Sequence, residues 1–258
     1  MDKFLKFGAV GVIDSGIGGL TVLNELSKTF PKLNFVYYGD NENAPYGNKS
    51  IDELKKLVLK GIDNLLLFNV KIIVVACNTL STTLFDYIKA VSPVPVIFTL
   101  PNSSYDTAKF KTPCLIATPN TISSNYVKTN FKNFNLIPLP FLAGEIERYI
   151  LSPTKICVEK DLTALLSNVD YLYLGCTHYI FIKDRIKKRF PNLTVADNLT
   201  DVVLSFKNTL PSTTLNKVNR GAQIKFIGNS SNYNFTVFKV ALWSKNDTQN
   251  CTCSLILG

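Results

Sequence analysis

The chain has 258 residues and a mass of 28.7 kDa, with 46% hydrophobic and 18% charged residues and a formal net charge of +9. That length allows one large or two smaller domains, and the hydrophobic content excludes global disorder. No apolar stretch reaches the roughly 18 residues of a transmembrane helix, so a chain crossing the bilayer by helices is excluded too.

The N-terminal segment imitates a secretory signal, but its apolar run, Phe7 to Ile13, ends at Asp14 without a small-residue cleavage site. The spacing predicts a first strand over Gly8 to Ile13, a helix over Leu20 to Phe30 and a strand over Phe35 to Tyr38. Ser50-x-x-Glu53 is a capping box opening a helix to Phe68, with Leu54, Leu57, Val58, Leu65 and Leu66 on one stripe. A strand over Ile72 to Ala76, a helix over Leu80 to Val91 and strands over Val94 to Phe98 and Cys114 to Ala117 follow. Further along come strand Tyr171 to Leu174, helices Ile180 to Phe190 and Val202 to Leu210, and strand Ile224 to Ile227. Strands alternating with helices predict an α/β fold with parallel sheets covered on both faces. Candidate domain crossings are the Pro- and Ser-rich stretch Ser92 to Ser104 and the Thr-rich stretch Leu210 to Asn219.

Six cysteines, at 77, 114, 157, 176, 251 and 253, lack the dense spacing of a disulfide scaffold. Together with the missing export signal they indicate reduced thiols in a cytosol. The polar tail carries Cys251-x-Cys253, and two thiols alone do not complete a metal site. The positive charge is spread thinly, and its densest group, Lys183 to Arg189, fits the solvated face of one helix. Nucleic acid is therefore not expected; compositional bias, or mild attraction of small anions, accounts for the +9.

Two units share one grammar. Ile72–Ala76 runs into Cys77-Asn78-Thr79, and Tyr171–Gly175 runs into Cys176-Thr177-His178, each followed by a helical pattern. Each places a cysteine at the carboxyl end of a parallel strand, the edge where open α/β sheets bind ligands. Helix N-termini there favour anions and thiolates. A single such cysteine is ordinarily a small buried hydrophobe; two alike, both followed by polar pairs, point to a shared site. A zinc site of Cys77, Cys176 and His178 leaves Asn78, Thr79 and Thr177 unexplained, and neither cysteine has the C-x-x-C spacing of a redox pair. His178, the one histidine, is placed to orient or deprotonate the thiol, or in cationic form to stabilise the thiolate. Other predicted strand ends carry Asp14-Ser15 before a glycine-rich turn (Gly16-Ile17-Gly18-Gly19), the loop Gly39 to Gly47, and Thr118-Pro119-Asn120-Thr121. The glycine-rich turn lacks the endings of a P-loop or dinucleotide fingerprint. The loop at 39–47 reads as a connection whose Pro and Gly set turn geometry.

The blocks GVIDSGIGGLTVL, YYGDNENAPYGNKS, IVVACNTLST and LGCTHY resemble those of the glutamate racemases, in the aspartate/glutamate racemase superfamily, and occur in the family's order. The resemblance implies two pseudo-symmetric parallel-sheet α/β domains with the active site in the cleft between them. Residues 1–98 plus 210–258 would form the first, on the Asp14 and Cys77 side. Residues 99–209 would form the second, on the Cys176 and His178 side. It implies cofactor-independent interconversion of L- and D-glutamate, serving bacterial peptidoglycan, cell-wall biogenesis and cell shape from the cytoplasm, with no metal, membrane or nucleic-acid partner. Family members are often dimers of differing arrangement, so the resemblance allows a homodimer while nothing in the sequence selects an assembly. By motif, Cys77 and Cys176 would be the acid/base pair, assisted by Asp14 and His178. Ser15, Tyr46, Gly47, Asn78, Thr79, Thr118, Thr121 and Thr177 would bind substrate together with Asp14 and His178, and Glu147 falls where the family carries a supporting carboxylate. Two departures stand out: Leu100 replaces the family's acid in Phe98-Thr99-Leu100-Pro101, and Ala117 replaces the glycine before Thr118.

Racemisation removes a weakly acidic Cα proton from one face and returns one to the other, which two opposed bases accomplish. A free thiol with pKa ~8.5 is only a few per cent ionised at neutral pH, so helix N-termini and His178 would have to raise that fraction. Hydrogen bonds aimed at the α-carboxylate would replace a cofactor as electron sink, each contributing about 3 kcal/mol. The altered segment at Leu100 raises aspartate as an alternative substrate, and the +9 charge raises a non-catalytic anion-binding protein.

Overall fold

A computed structural model of the chain describes residues 8–102, 109–152, 158–210, 222–242 and 251–255. It opens with β1 (Ala9–Asp14), α1 (Leu20–Thr29), β2 (Phe35–Gly39), α2 (Ile51–Leu66), β3 (Val70–Val75), α3 (Asn78–Thr83), α4 (Phe85–Val91) and β4 (Val96–Phe98). Next come β5 (Pro113–Ala117), α5 (Pro119–Ser123), α6 (Asn125–Asn130), β6 (Asn135–Pro138), α7 (Leu142–Tyr149), α8 (Val158–Leu166), β7 (Tyr171–Leu174), α9 (Lys183–Arg189) and β8 (Thr194–Ala196). The last elements are α10 (Leu199–Thr209), β9 (Ala222–Ile227), α11 (Ser231–Val237) and β10 (Cys251–Leu255).

The strands form two sheets, ordered β10-β9-β2-β1-β3-β4 and β6-β5-β7-β8, and every pairing is parallel. The run β2-β1-β3-β4 of the first sheet recurs as β6-β5-β7-β8 in the second. In each, the chain moves to one side of its first strand and then to the other. This creates a switch point beside the carboxyl ends of β1 and β3, and of β5 and β7. The fold is therefore two α/β lobes of like topology.

Central parallel strands covered on both faces need continuous apolar sequence, and β1, β2, β5 and β7 are buried at every residue. On one face of the first sheet, Leu20, Leu23 and Leu26 of α1 share a core with Val202 and Phe206 of α10. The Phe30 and Phe206 rings meet edge to face at 5.0 Å. On the other face, Leu54, Val58, Ile62 and Leu65 of α2 pack against Ile13, Val36, Tyr38 and Val75. Each such side chain contributes about 1.5–3 kcal/mol of apolar burial. The α1 core runs on through Cys114, Ile116, Leu172 and Leu174 of the second sheet, so the lobes share apolar contacts.

The capping box forms: Glu53 N–H donates to Ser50 Oγ at 3.3 Å, and Ser50 N–H donates to Glu53 Oε2 at 2.9 Å. Leu57 and Leu66 lie at the half-buried margin of the stripe, and Ile62 takes a central place. The helix expected over Leu80 to Val91 is two helices that break at Leu84, where φ is −120° and ψ is 20°. Thr82 and Thr83 cause part of this by bonding back to the Asn78 and Thr79 carbonyls at 2.9 and 2.6 Å, which bends a helix. Likewise, the segment expected as one helix from Ile180 begins as a 3-10 turn, Thr177–Ile182, and becomes α-helical at Lys183. Strands β6 and β8 carry too few apolar residues to be read from periodicity, since both lie at sheet edges and are half exposed. The region holding Cys251 and Cys253, expected as a polar tail, pairs with β9 as an edge strand. Cys157 and residues 211–219 of the second expected crossing lie outside the described residues. Among the described residues no helix is long and apolar enough to cross a membrane.

Candidate active site

The carboxyl edges of the two sheets face each other, and residues from both switch points interlock there. Asp14 is the last residue of β1, and its Oδ1 accepts the Gly16 N–H at 3.0 Å, the local bond that turns the chain towards α1. Cys77 caps α3 directly after β3, with its sulfur 4.0 Å from Ser15 Oγ. At the equivalent point of the second lobe, Cys176 caps the 3-10 turn after β7, and its sulfur lies 3.8 Å from His178 Nδ1. The other ring nitrogen, Nε2, is 2.6 Å from Glu147 Oε2 on α7. Thr177 Oγ1 donates across the interface to Asp14 Oδ2 at 3.3 Å. Asp14, Ser15, Cys77, Cys176, Thr177, His178 and Glu147 thus form one continuous polar cluster from two lobes.

A second cluster adjoins it. The hydroxyls of Thr79, Thr118 and Thr121 bond among themselves at 2.9, 3.0 and 3.4 Å, Thr79 coming from the first lobe and the others from the second. Gly47 packs against Thr118, and the Tyr46 hydroxyl donates to Asp40 Oδ2 at 2.6 Å. Asn78 donates Nδ2 to the Thr99 carbonyl at 2.9 Å, leaving its Oδ1 buried without a hydrogen-bond partner. Leu100 follows directly on Thr99, so the departure there borders the Asn78 contact.

Nearly every member is sealed from water: Cys77 is 5% exposed, Cys176 6%, His178 2% and Asp14 fully buried. Desolvation consequently governs the charges. Burial drives the Asp14 carboxyl up from 3.8 to about 6, although His178 and the Gly16 N–H pull the other way. Burial, with the Asp14 charge added, pushes the Cys77 thiol well above its usual range, against the Leu80 N–H and the Ser15 hydroxyl. Burial alone would lower His178, but its bonds to Cys176 and Glu147 overcome this and hold the ring well above the usual imidazole value. The ring is then cationic at neutral pH and ion-paired with Glu147. The two cysteines consequently sit in different surroundings, one beside a carboxylate and one beside an imidazolium.

The glycine-rich turn after β1 exists for close approach. A Cβ at Gly18 would lie 2.5 Å from His178 Nδ1, and one at Gly16 would strike the Glu147 carboxylate. Sequence inspection missed Asp40, which gathers Tyr46 and Asn43, and Asn41, whose Nδ2 donates to Glu147 Oε1. Both lie in the loop read as a simple connection; the run of polar residues before Pro45 was the available signal. Among the described residues no group of three or more His, Cys, Asp or Glu side chains is placed to hold a metal ion.

The chain is 32% identical over 225 residues to a glutamate racemase of Clostridium acetobutylicum, covering 80% of this chain and 85% of that protein. Its fold matches a glutamate racemase of Francisella tularensis, solved in complex with D-glutamate, at a TM-score of 0.74 and 26% identity over 98% of each chain. An aspartate racemase of Picrophilus torridus shares the fold at a TM-score of 0.51 and 18% identity, covering 80% of this chain and 98% of that one. No family model matches the chain.

Proposed function

Because the chain belongs to the glutamate racemase family, and is therefore an amino-acid isomerase that racemises glutamate, we propose that it does so without a cofactor, using Cys77 and Cys176 as opposed acid and base. Membership of an enzyme family removes the non-catalytic alternative. The observation that carries the two-base proposal is the equivalence of the two cysteines. They follow β3 and β7, corresponding strands of like-ordered sheets, and approach one cluster from opposite lobes.

In this mechanism one sulfur removes the Cα proton while the other delivers a proton to the opposite face. The His178 imidazolium lies 3.8 Å from Cys176, while burial and the carboxylate beside Cys77 favour a starting state with Cys77 protonated. Glu147 keeps the ring charged and oriented. The reverse reaction exchanges the roles of the sulfurs. Asp14, at about 6, is poised to exchange a proton near neutral pH on the Cys77 side. Ser15, Thr79, Thr118, Thr121 and Thr177 supply hydroxyls for the two carboxylates, and the mutual bonds of the threonines are exchanged for bonds to substrate. Asn78 Oδ1, an unpartnered buried acceptor, suits the substrate ammonium. Tyr46 and Gly47 complete the wall next to Thr118. With both sulfurs buried, the lobes must part to admit glutamate and close again to exclude water.

The division into 1–98 with 210–258 and 99–209, a homodimeric assembly, a cytoplasmic site of action and a supply of D-glutamate to peptidoglycan belong to the same proposal. The first is supported by sheet membership, except that α10 (Leu199–Thr209), expected in the second unit, packs through Val202 and Phe206 on the first sheet; the others are supported by the family resemblance. The test is incubation of the purified, reduced protein with L-glutamate in D2O without added cofactor, alongside L-aspartate. Formation of α-deuterated D-glutamate is expected; no exchange, or exchange of aspartate alone, would overturn the proposal.

A further inference from the structure

Glu147 is reached from the first lobe as well as from His178. Its Oε2, which faces the ring, also accepts the Ile17 N–H at 3.0 Å, and its Oε1 accepts the Asn41 amide. Ile17 and Asn41 stand in the turns after β1 and β2, whereas Glu147 and His178 belong to the second lobe. Asn41 is itself held: its Oδ1 accepts the Nδ2 of Asn234, a fully buried residue of α11, at 2.8 Å. The neighbouring Tyr233 hydroxyl donates to the Glu147 backbone carbonyl at 2.6 Å, fixing the main chain of the same residue. A file of polar groups therefore runs from α11 through Asn41 and Glu147 to His178 and Cys176.

Asn41 suits this position chemically. A carboxylate has two oxygens to satisfy, and here Oε2 already serves both His178 and the Ile17 N–H. An amide at Oε1 donates without carrying charge, so it pins the second oxygen without competing with His178 for the ion pair. Such charge-assisted bonds are among the stronger ones and restrict rotation of the carboxylate.

We infer that Asn41 is a positioning residue for racemisation: braced by Asn234, it fixes the Glu147 carboxylate and thereby the His178 ring against Cys176, and does so only while the two lobes are together. The inference rests on the two-cysteine mechanism and adds to it that the Cys176 arm is assembled by a residue of the opposite lobe. Separation of the lobes removes both first-lobe donors from the Glu147 carboxylate, so this arm is complete only around an enclosed substrate.

The test uses deuterium isotope effects on kcat/KM with each α-deuterated enantiomer of glutamate. Because enantiomers are equal in free energy, a variant must lose kcat/KM equally in both directions, so the isotope effects reveal which proton transfer has slowed. Cys176→Ser is expected to enlarge the effect for the enantiomer that Cys176 deprotonates and to diminish it for the other; Cys77→Ser gives the mirror pattern. Asn41→Leu is expected to lower kcat/KM about 10- to 100-fold, the range of one hydrogen bond to a charged group, with the Cys176→Ser pattern. Asn41→Asp keeps the oxygen that accepts Asn234 but replaces the donor with a charged acceptor that repels Glu147 Oε1, so it removes the positioning bond and decides the matter even if the leucine variant does not fold. Unchanged isotope effects in Asn41→Asp, or the Cys77→Ser pattern, would overturn the inference while leaving the mechanism intact. Wild-type turnover and isotope effects in Cys176→Ser would overturn both.

Discussion

Asp14→Asn is expected to stabilise the folded protein while removing its activity. The Asp14 carboxyl is fully buried, and its proton affinity rises from 3.8 to about 6, so ionising it in the folded state is unfavourable. At 1.36 kcal/mol per pH unit the displacement corresponds to about 3 kcal/mol at neutral pH. The sign follows from the raised value: the folded state holds the proton more tightly than the unfolded chain. The penalty is absent below about pH 4, grows as pH rises towards about 6, and is constant above that. Asparagine retains an oxygen for the Gly16 N–H and places an amide opposite the Thr177 hydroxyl, which can accept, so the local bonds survive without the charge. For a chain of this size about 3 kcal/mol amounts to some 6–12 °C in thermal midpoint. Scanning calorimetry of parent and variant should show midpoints converging near pH 4 and separating, variant higher, by about pH 7. Racemisation by the variant should fall by about 100-fold or more, the usual weight of a proton-transfer group. A variant less stable than the parent at neutral pH, or a difference that ignores pH, would refute the reasoning that Asp14 is held in place against its own desolvation.

Cys77→Ala and Cys176→Ala should each abolish racemisation measured polarimetrically, because either leaves one face of Cα without its proton carrier. Gly18→Ala should lower kcat by about 100-fold and destabilise the fold by about 1–3 kcal/mol, since its methyl would lie 2.5 Å from the buried His178 Nδ1 and displace the ring from Cys176. Ser50→Ala removes the α2 cap; urea unfolding should register a loss of about 1 kcal/mol, with turnover unaffected at this distance from the cluster.

How far the site was legible depends on how local each feature is. Cys77 and Cys176 announce themselves because each follows a buried apolar strand and opens a polar helical turn, all within a dozen residues. Asn41 does not, because nothing near it in sequence distinguishes an asparagine that turns a loop from one that reaches a carboxylate 106 residues away. The glycine-rich turn was visible but its purpose was not: it resembles a weak anion loop, whereas Gly16 and Gly18 make room for Glu147 and His178. Edge strands β6 and β8 escaped for the opposite reason, since exposure there relaxes the demand for apolar residues.

The sequence by itself determined the α/β class, the capped helix α2 and the matched cysteine units, because periodicity, capping and strand-to-helix turns are written over short stretches of chain. Tertiary structure alone decided that Glu147 meets His178 across 31 residues, that Ile17 meets Glu147 across 130, and that Thr177 reaches Asp14 across 163. It also decided that the two cysteines, alike in sequence, differ in charge environment. Desolvation and through-space charge depend on every element that packs around a group, so they leave no period in the sequence to be read.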